Sequence, residues 1–430
     1  MERNLSGMGR GDDTVQVMRW THLSLFFLFS FSAFSRTWIV DPRGDFKSIK
    51  TAIALSAAGD TIQILPGLYK EGNLIIQKSL TIVGINFPVL DAENKHEIFT
   101  IAANDVSIKG LRMINTGVGS INDISAVNVI DSKRVNVLSN QFENTFFGIR
   151  LSNSKGCVVA NNVLHSDLEA AHQIGNGIHA WKCDSITIRN NEVSGHRDGI
   201  YFEFVTHSLV ENNFSHHNMR YGLHFMFSHN DEYRSNTFQN NGAGVAVMYT
   251  KGVKMIGNRF EDNWGSSSYG LLLKDIGDSR IEQNHFLKNT VAVYMEGASR
   301  CHFFKNVFSE NGWAVKIQAN CDENIFSKNS FLSNTFDMAT NGSLVLNTVD
   351  ANYWDKYEGY DLNKDAVGDV PFHPVSLYSM VVEKMPSAVM LWRSFLVSML
   401  DRTEKVVPSI TPENLKDIHP AMRNFADDYK

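Results

Sequence analysis

Gly222-Leu223-His224-Phe225-Met226, closed fourteen residues later by Asn236-Thr237-Phe238, is the phrase on which this chain is built. A glycine, an alternating apolar run and then Asn-x-Phe return about every 22 residues through the middle of the sequence. The closing triplets are Asn140-Gln141-Phe142, Asn162-Val163-Leu164, Asn191-Glu192-Val193, Asn212-Asn213-Phe214, Asn236-Thr237-Phe238, Asn258-Arg259-Phe260, Asn284-His285-Phe286, Asn306-Val307-Phe308 and Asn329-Ser330-Phe331. Each unit alternates with period two and is broken by Gly and Asn, which excludes a helical repeat. Asn suits tight corners because it tolerates left-handed backbone angles and bonds its own main chain. Similar coils in this number predict a right-handed parallel β-helix of about 10–13 coils.

Alternation then assigns faces. The first and third residues after each glycine are apolar and point inward: Ile178 and Ala180, Ile200 and Phe202, Leu223 and Phe225, Val245 and Val247, Leu271 and Leu273. The second and fourth face out. They read His179 and Trp181, Tyr201 and Glu203, His224 and Met226, Ala246 and Met248, Leu272 and Lys274. A wall of Trp, Tyr, Met and His marks a contact surface. Two coils are longer, and loops at 166–176, which includes His172, and at 264–269 are expected to overhang that wall.

Nine of the fifteen histidines lie between His165 and His229. With coils about 4.8 Å apart and alternate strand residues about 6.7 Å apart, His224, Met226 and Met248 occupy three corners of one outward patch. Thioether sulfur selects soft Cu(I) and imidazole accepts copper, so copper is the metal that fits; a protein-binding surface is the other reading of the same wall. His216-His217 ranks lower, because neighbours in a strand face opposite ways.

The flanks are different in kind. Arg3, Arg10 and Arg19 precede a short apolar segment, and residues 1–35 read as a signal peptide. Phe46, Ile49, Ile53 and Ala57 recur at helical spacing and predict a short capping helix for the β-helix, residues 36–350. Residues 351–374 form an Asn/Asp-rich turn segment in which Asp361, Asn363, Asp365 and Asp369 resemble a calcium loop, although Ala366 stands where glycine is expected; a hydrogen-bonded cap is the alternative. Residues 375–430 are a helical tail, broken at Pro386. Leu391, Trp392, Phe395, Leu396 and Met399 lie on its apolar face, which either packs back on the β-helix or docks on a membrane-bound partner. Cys157, Cys183, Cys301 and Cys321 sit at offsets that favour buried free thiols. The net charge of -6 provides no basic field for nucleic acid.

β-Helical enzymes act on polysaccharides, and the nearest catalytic constellation is His196-Arg197-Asp198 with Glu203 and Arg220. It lacks a dense carboxylate pair.

The Asn-x-Phe coils, Asn352-Tyr353-Trp354-Asp355, the Asp-x-Asn-x-Asp turn at 361–365 and the helical tail together resemble the NosD family over residues 37–425. That resemblance implies a non-enzymatic periplasmic protein, attached peripherally to the inner membrane through a transporter made of a permease and a cytoplasmic ABC ATPase. It also implies transfer of Cu(I) from a lipoprotein chaperone and engagement of nitrous oxide reductase during its maturation. No family motif fixes the copper ligands.

Overall fold

The computed structural model describes residues 35–119, 123–168, 170–342, 346–406 and 415–426. The signal-peptide reading falls outside them. The described chain winds into a parallel β-helix of about thirteen turns. Its three sheets have 14, 13 and 12 strands among the described residues, visited in that order within each coil. The first begins at Thr37–Val40, the second at Leu68–Tyr69 and the third at Leu74–Ile76. Every strand pairs in parallel with its counterpart one coil on, and the core is the inward file of each sheet.

The triplet asparagines lie at the corner between the first and second sheets. There they serve a purpose that turn propensity does not reveal. Asn162, Asn191, Asn236, Asn258, Asn284, Asn306 and Asn329 are at most 2% exposed, and their side chains form a ladder up the inside of the stack. Asn236 donates from its backbone N and from Nδ2 to Asn258 Oδ1, each at 3.0 Å, and Asn258 repeats this to Asn284 at 2.8 and 3.0 Å. The left-handed residue is the one before, for example Asn161, Ser235, Gln283 and Lys305. One triplet is therefore displaced by a residue from its sequence reading. Asn213, not Asn212, stands in the ladder, at 3.0 Å from Asn191 and from Asn236. Slipping one residue exchanges faces, so Phe214 points out and stacks on His216 at 4.1 Å. Ser215 takes the inner place and donates to Gly222 O at 2.7 Å. Further along, Phe238, Phe260, Phe286, Phe308, Phe331 and Trp354 form a continuous inner stack at 4.1–5.6 Å. The glycine opening the third-sheet strand is a matter of space: a Cβ on Gly222 would meet Gly244 O and Asn241 Nδ2, each at 2.8 Å.

Both ends of the stack are closed. Helix α1 (Ile49–Leu55) is where the spacing predicts it, N-capped by Ser48, and buries Ile49, Ala52 and Ile53 against the first coils. At the other end residues 415–426 return to the β-helix. Asp417, 65 residues from Asn352, occupies the next ladder position. Its Oδ2 accepts from Asn352 N at 2.9 Å and Trp354 Nε1 at 3.0 Å, and its Oδ1 accepts from Ala351 N at 3.0 Å. The final stretch of the predicted tail is thus a cap, and the helical part comprises α2 (Leu377–Lys384), a turn of 3-10 helix from Pro386 to Leu391, and α3 (Phe395–Val406). Among the described residues no helix is long and apolar enough to cross a membrane.

Candidate functional site

The third sheet carries the outward wall, and the register stacks it as alternation requires. Arg150, His179, Tyr201, His224, Ala246 and Leu272 form one file; Trp181, Glu203, Met226, Met248 and Lys274 form the next. Met226 and Met248 are direct register partners, with His224 two residues before Met226 on its strand. The structure therefore brings the three residues onto one patch.

The wall differs from its sequence reading in one respect. His179 and His224 do not stand in solvent, at 9% and 5% exposure. Aromatic rings lie along the file and cover them: Phe147 on His179 at 5.5 Å, His179 on Tyr201 at 4.8 Å, Tyr201 on His224 at 5.0 Å. Tyr221, the residue before the glycine, also folds over this side, 4.8 Å from His224. Burial pushes His179 down to about 3, and neither of its ring nitrogens has a partner. The Tyr201 hydroxyl donates to Met226 Sδ at 3.6 Å, and Lys182 lies 4.3 Å over the Trp181 ring.

Beneath the file is an ion pair between two members of the constellation that the sequence offers for sugar chemistry. Asp198, fully buried, accepts from Arg220 Nε at 2.8 Å and again from Arg220 Nη2. His224 Nδ1 lies 3.4 Å from Asp198 Oδ2, while His224 Nε2 has no partner. Burial acts to raise the Asp198 carboxyl, but its bonds with Arg220 and His224 prevail and hold it below the usual carboxylate range. The sequence alone suggests no link from Asp198 and Arg220 to His224. The available signal was their spacing of one coil.

His196 does not join them at the surface. It is wholly buried where a second asparagine ladder begins, its backbone N donating to Asn218 Oδ1 at 3.1 Å, and burial pushes its imidazole down to about 4. The proposed base of a polysaccharide enzyme is thus enclosed in the stack. His216-His217 is a corner, the other reading that its sequence supports, but its side chains do not face apart. His217 turns the corner at φ 52°, so the two rings meet, with their Nδ1 atoms 2.8 Å apart and Glu192 3.4 Å from His216 Nε2.

The loops leave at the corner entering the third sheet, as expected; His172 is in a short 3-10 turn, Ala171–Gln173, and Trp264 is 66% exposed. The turn at 361–369 is the hydrogen-bonded cap. Asp361 accepts from Lys364 N, Asp365 N and Ala366 N, Asp369 Oδ2 accepts from Leu362 N, and Asn363 donates to Asp365 Oδ2. With those oxygens spent on donors within the turn, calcium gains no support there. All four cysteines are free and buried, and burial pushes the Cys183 and Cys301 thiols up to about 12.

The tail sits on the same sheet, at its far end. Tyr378 and Trp392 pack on Phe336 at 5.6 and 5.4 Å, and Lys316 pairs with Glu383 at 2.5 Å. Packing back consumes one side only. Phe395 and Leu396 remain 82% and 64% exposed, with Met399, Leu391 and Trp392 also open to solvent.

A family model described as "Periplasmic copper-binding protein (NosD)" matches residues 166–363. Similar over nearly the whole chain are two relatives named "Probable ABC transporter binding protein NosD". The one from Stutzerimonas stutzeri is 24% identical over 87% of this chain and 89% of its own length. That from Pseudomonas aeruginosa is 25% identical over 86% and 90%. Among solved structures, the A-module of a mannuronan C-5 epimerase from Azotobacter vinelandii superposes with a TM-score of 0.51 at 14% identity, covering 72% of this chain and 93% of that one. A family 28 exopolygalacturonase from Yersinia enterocolitica gives 0.58 at 12%, covering 74% and 78%. At such identities the likeness is one of fold.

Proposed function

Because the chain belongs to the NosD family, we propose that it is a periplasmic copper-handling and docking subunit of an ABC transporter complex, and not an enzyme. The observation that carries this reading is the register pair Met226–Met248 beside a buried imidazole whose Nε2 has no partner. Two thioethers and one imidazole form a soft donor set suited to Cu(I). Copper here is cargo: His224, Met226 and Met248 would hold it on the way from a lipoprotein chaperone to nitrous oxide reductase, whose maturation the protein serves. His179, Trp181, Tyr201 and Glu203, around the patch, form the wall that meets chaperone or client.

The tail supplies attachment. Leu391, Phe395, Leu396 and Met399, with the part of Trp392 that Tyr378 and Phe336 leave exposed, present an apolar face, and we assign it to a membrane permease partnered by the cytoplasmic ATPase. A polysaccharide lyase, epimerase or hydrolase is the competing reading, and the enclosure of His196 weighs against it.

Competitive titration of the purified protein with Cu(I) is the test. The triple variant His224→Ala, Met226→Ala, Met248→Ala should lose tight binding, and equal affinity in variant and wild type would remove these residues as ligands. Turnover of a uronate polymer by the wild type would favour the enzyme instead.

A further inference from the structure

His224 is held from one side, and on the other a buried ring nitrogen is left without a partner. It is 5% exposed, Tyr201 and Tyr221 flank its ring at 5.0 and 4.8 Å, and its Nε2 has no hydrogen-bond partner. Its Nδ1 faces a charge pair from two coils, 3.4 Å from Asp198 Oδ2 on the preceding coil and 3.4 Å from Arg220 Nη2 on its own. The two tautomers of a neutral imidazole fare differently there. With the proton on Nδ1, the ring donates toward a carboxylate oxygen and leaves a lone pair on Nε2. With the proton on Nε2, a buried N–H has no acceptor and the Nδ1 lone pair points at a buried anion. Arg220 Nη2, bonded to Asp198 through one N–H, has a second that reaches that lone pair at 3.4 Å, the same length as the contact from Nδ1–H to Asp198 Oδ2, so these two contacts offset each other. What separates the tautomers is the buried N–H left on Nε2, which is costlier than a bare lone pair there, and the repulsion between the Nδ1 lone pair and the carboxylate; both favour the proton on Nδ1.

We propose that Asp198 is the positioning residue of the soft-metal patch: it keeps the proton of His224 on Nδ1 and so leaves the Nε2 lone pair free for the metal. A carboxylate behind the second nitrogen of a metal-binding imidazole fixes ring orientation and raises its basicity. Arg220 keeps the carboxylate ionised and in place. The metal half of this proposal rests on the copper reading above; the tautomer half does not.

The experiment uses the full chain, labelled with 15N at histidine, metal-free and at one fixed pH, with His224→Gln to assign the ring signals. Long-range 15N–1H spectra should show His224 protonated at Nδ1. In Asp198→Asn the amide oxygen turns to Arg220 and its NH2 faces Nδ1, so the proton should move to Nε2. Affinity for Ag(I), a redox-inert stand-in for Cu(I), should fall ten- to a hundredfold in that variant. Met226→Ala should weaken Ag(I) binding and leave the tautomer unchanged. Arg220→Lys, which retains the anion, should keep the Nδ1 proton; if Asp198→Asn fails to fold, the wild-type and Arg220→Lys tautomers decide. An Nε2–H tautomer in the wild type overturns the proposal, as does Asp198→Asn with tautomer and Ag(I) affinity unchanged. An Nδ1–H tautomer that flips in Asp198→Asn, in a chain that binds no Ag(I), supports the positioning of His224 and sinks the copper reading alone.

Discussion

Removing one rung of the inner ladder should destabilise this protein far more than its neutral chemistry suggests, and Asn258→Ala is the rung to remove. Asn258 is wholly buried. Its Oδ1 accepts from Asn236 N and Asn236 Nδ2, both at 3.0 Å, and its Nδ2 donates to Tyr233 O at 2.9 Å and Asn284 Oδ1 at 3.0 Å. Alanine leaves two buried donors on Asn236 and the Tyr233 carbonyl without their partner, while Asn284 Oδ1 keeps the backbone N–H of residue 258. An unsatisfied buried group costs about 1–3 kcal/mol. With some recovery by relaxation, the total is about 2–4 kcal/mol. The assay is guanidinium unfolding followed by far-UV circular dichroism, with the exposed Lys254→Ala as control, expected within about 0.5 kcal/mol of wild type. Because each coil touches only its neighbours, the cut should also broaden the transition or split it in two. A loss under about 0.5 kcal/mol, or one equal to the control, would refute the ladder argument.

Two further outcomes follow from the same structure. Burial, opposed by one backbone N–H from Ser208 and helped by the charge of Asp184, pushes the Asp231 carboxyl up to about 8. The folded state then retains a proton that the unfolded chain releases, so stability falls as pH rises from about 4 to about 8, by up to about 1.4 kcal/mol per unit. Asp231→Asn should flatten the dependence of Tm on pH over that window, and an unchanged slope would show that Asp231 is not its source. For the tail, Phe395→Asp with Leu396→Asp should abolish the proposed association with a membrane permease and leave Tm unchanged, since both side chains are exposed; co-purification with a permease that survives the substitutions would refute docking by this face.

The elements that follow from local pattern were legible in the sequence. Period-two alternation gave the β-helix and the placing of His224, Met226 and Met248 on one face of the third sheet, and a helical stripe gave α1. What escaped depends on the neighbouring coil or on residues further away. The anchor asparagines look like turn formers until coils stack and their amides meet. At Asn212-Asn213-Phe214 the sequence offers two registers, and only the ladder selects Asn213. The partnership of Asp198 with Arg220 and His224 crosses one coil. The burial of His179 and His224 arises from rings on adjacent rungs, which alternation alone cannot see. Asp417 lies 65 residues from the Asn352 it caps, with nothing in its surroundings to mark it.

The position of the tail bears on how the proposed attachment and the proposed metal handling could coexist. Helix α2 covers the third sheet at Trp313, Lys316 and Phe336, whereas the His/Met patch lies several coils earlier on that sheet. The tail does not occupy the patch. Residues 415–426 return to cap the ladder through Asp417, and the segment from Pro386 to Val406 lies against α2 and the third sheet, with Ala388 and Val397 buried beside Phe336, Tyr378 and Val382 and Glu404 accepting from Leu377 N at 2.7 Å. That packing would lower the entropy lost in the proposed docking of the exposed apolar face, because the face is already held at one place on the stack. It also separates two faults that deletion of residues 375–430 would confuse, since that deletion removes the cap with the docking face and exposes the last rung. Substitution at Phe395 and Leu396 tests attachment alone, and Asp417→Ala tests the cap alone.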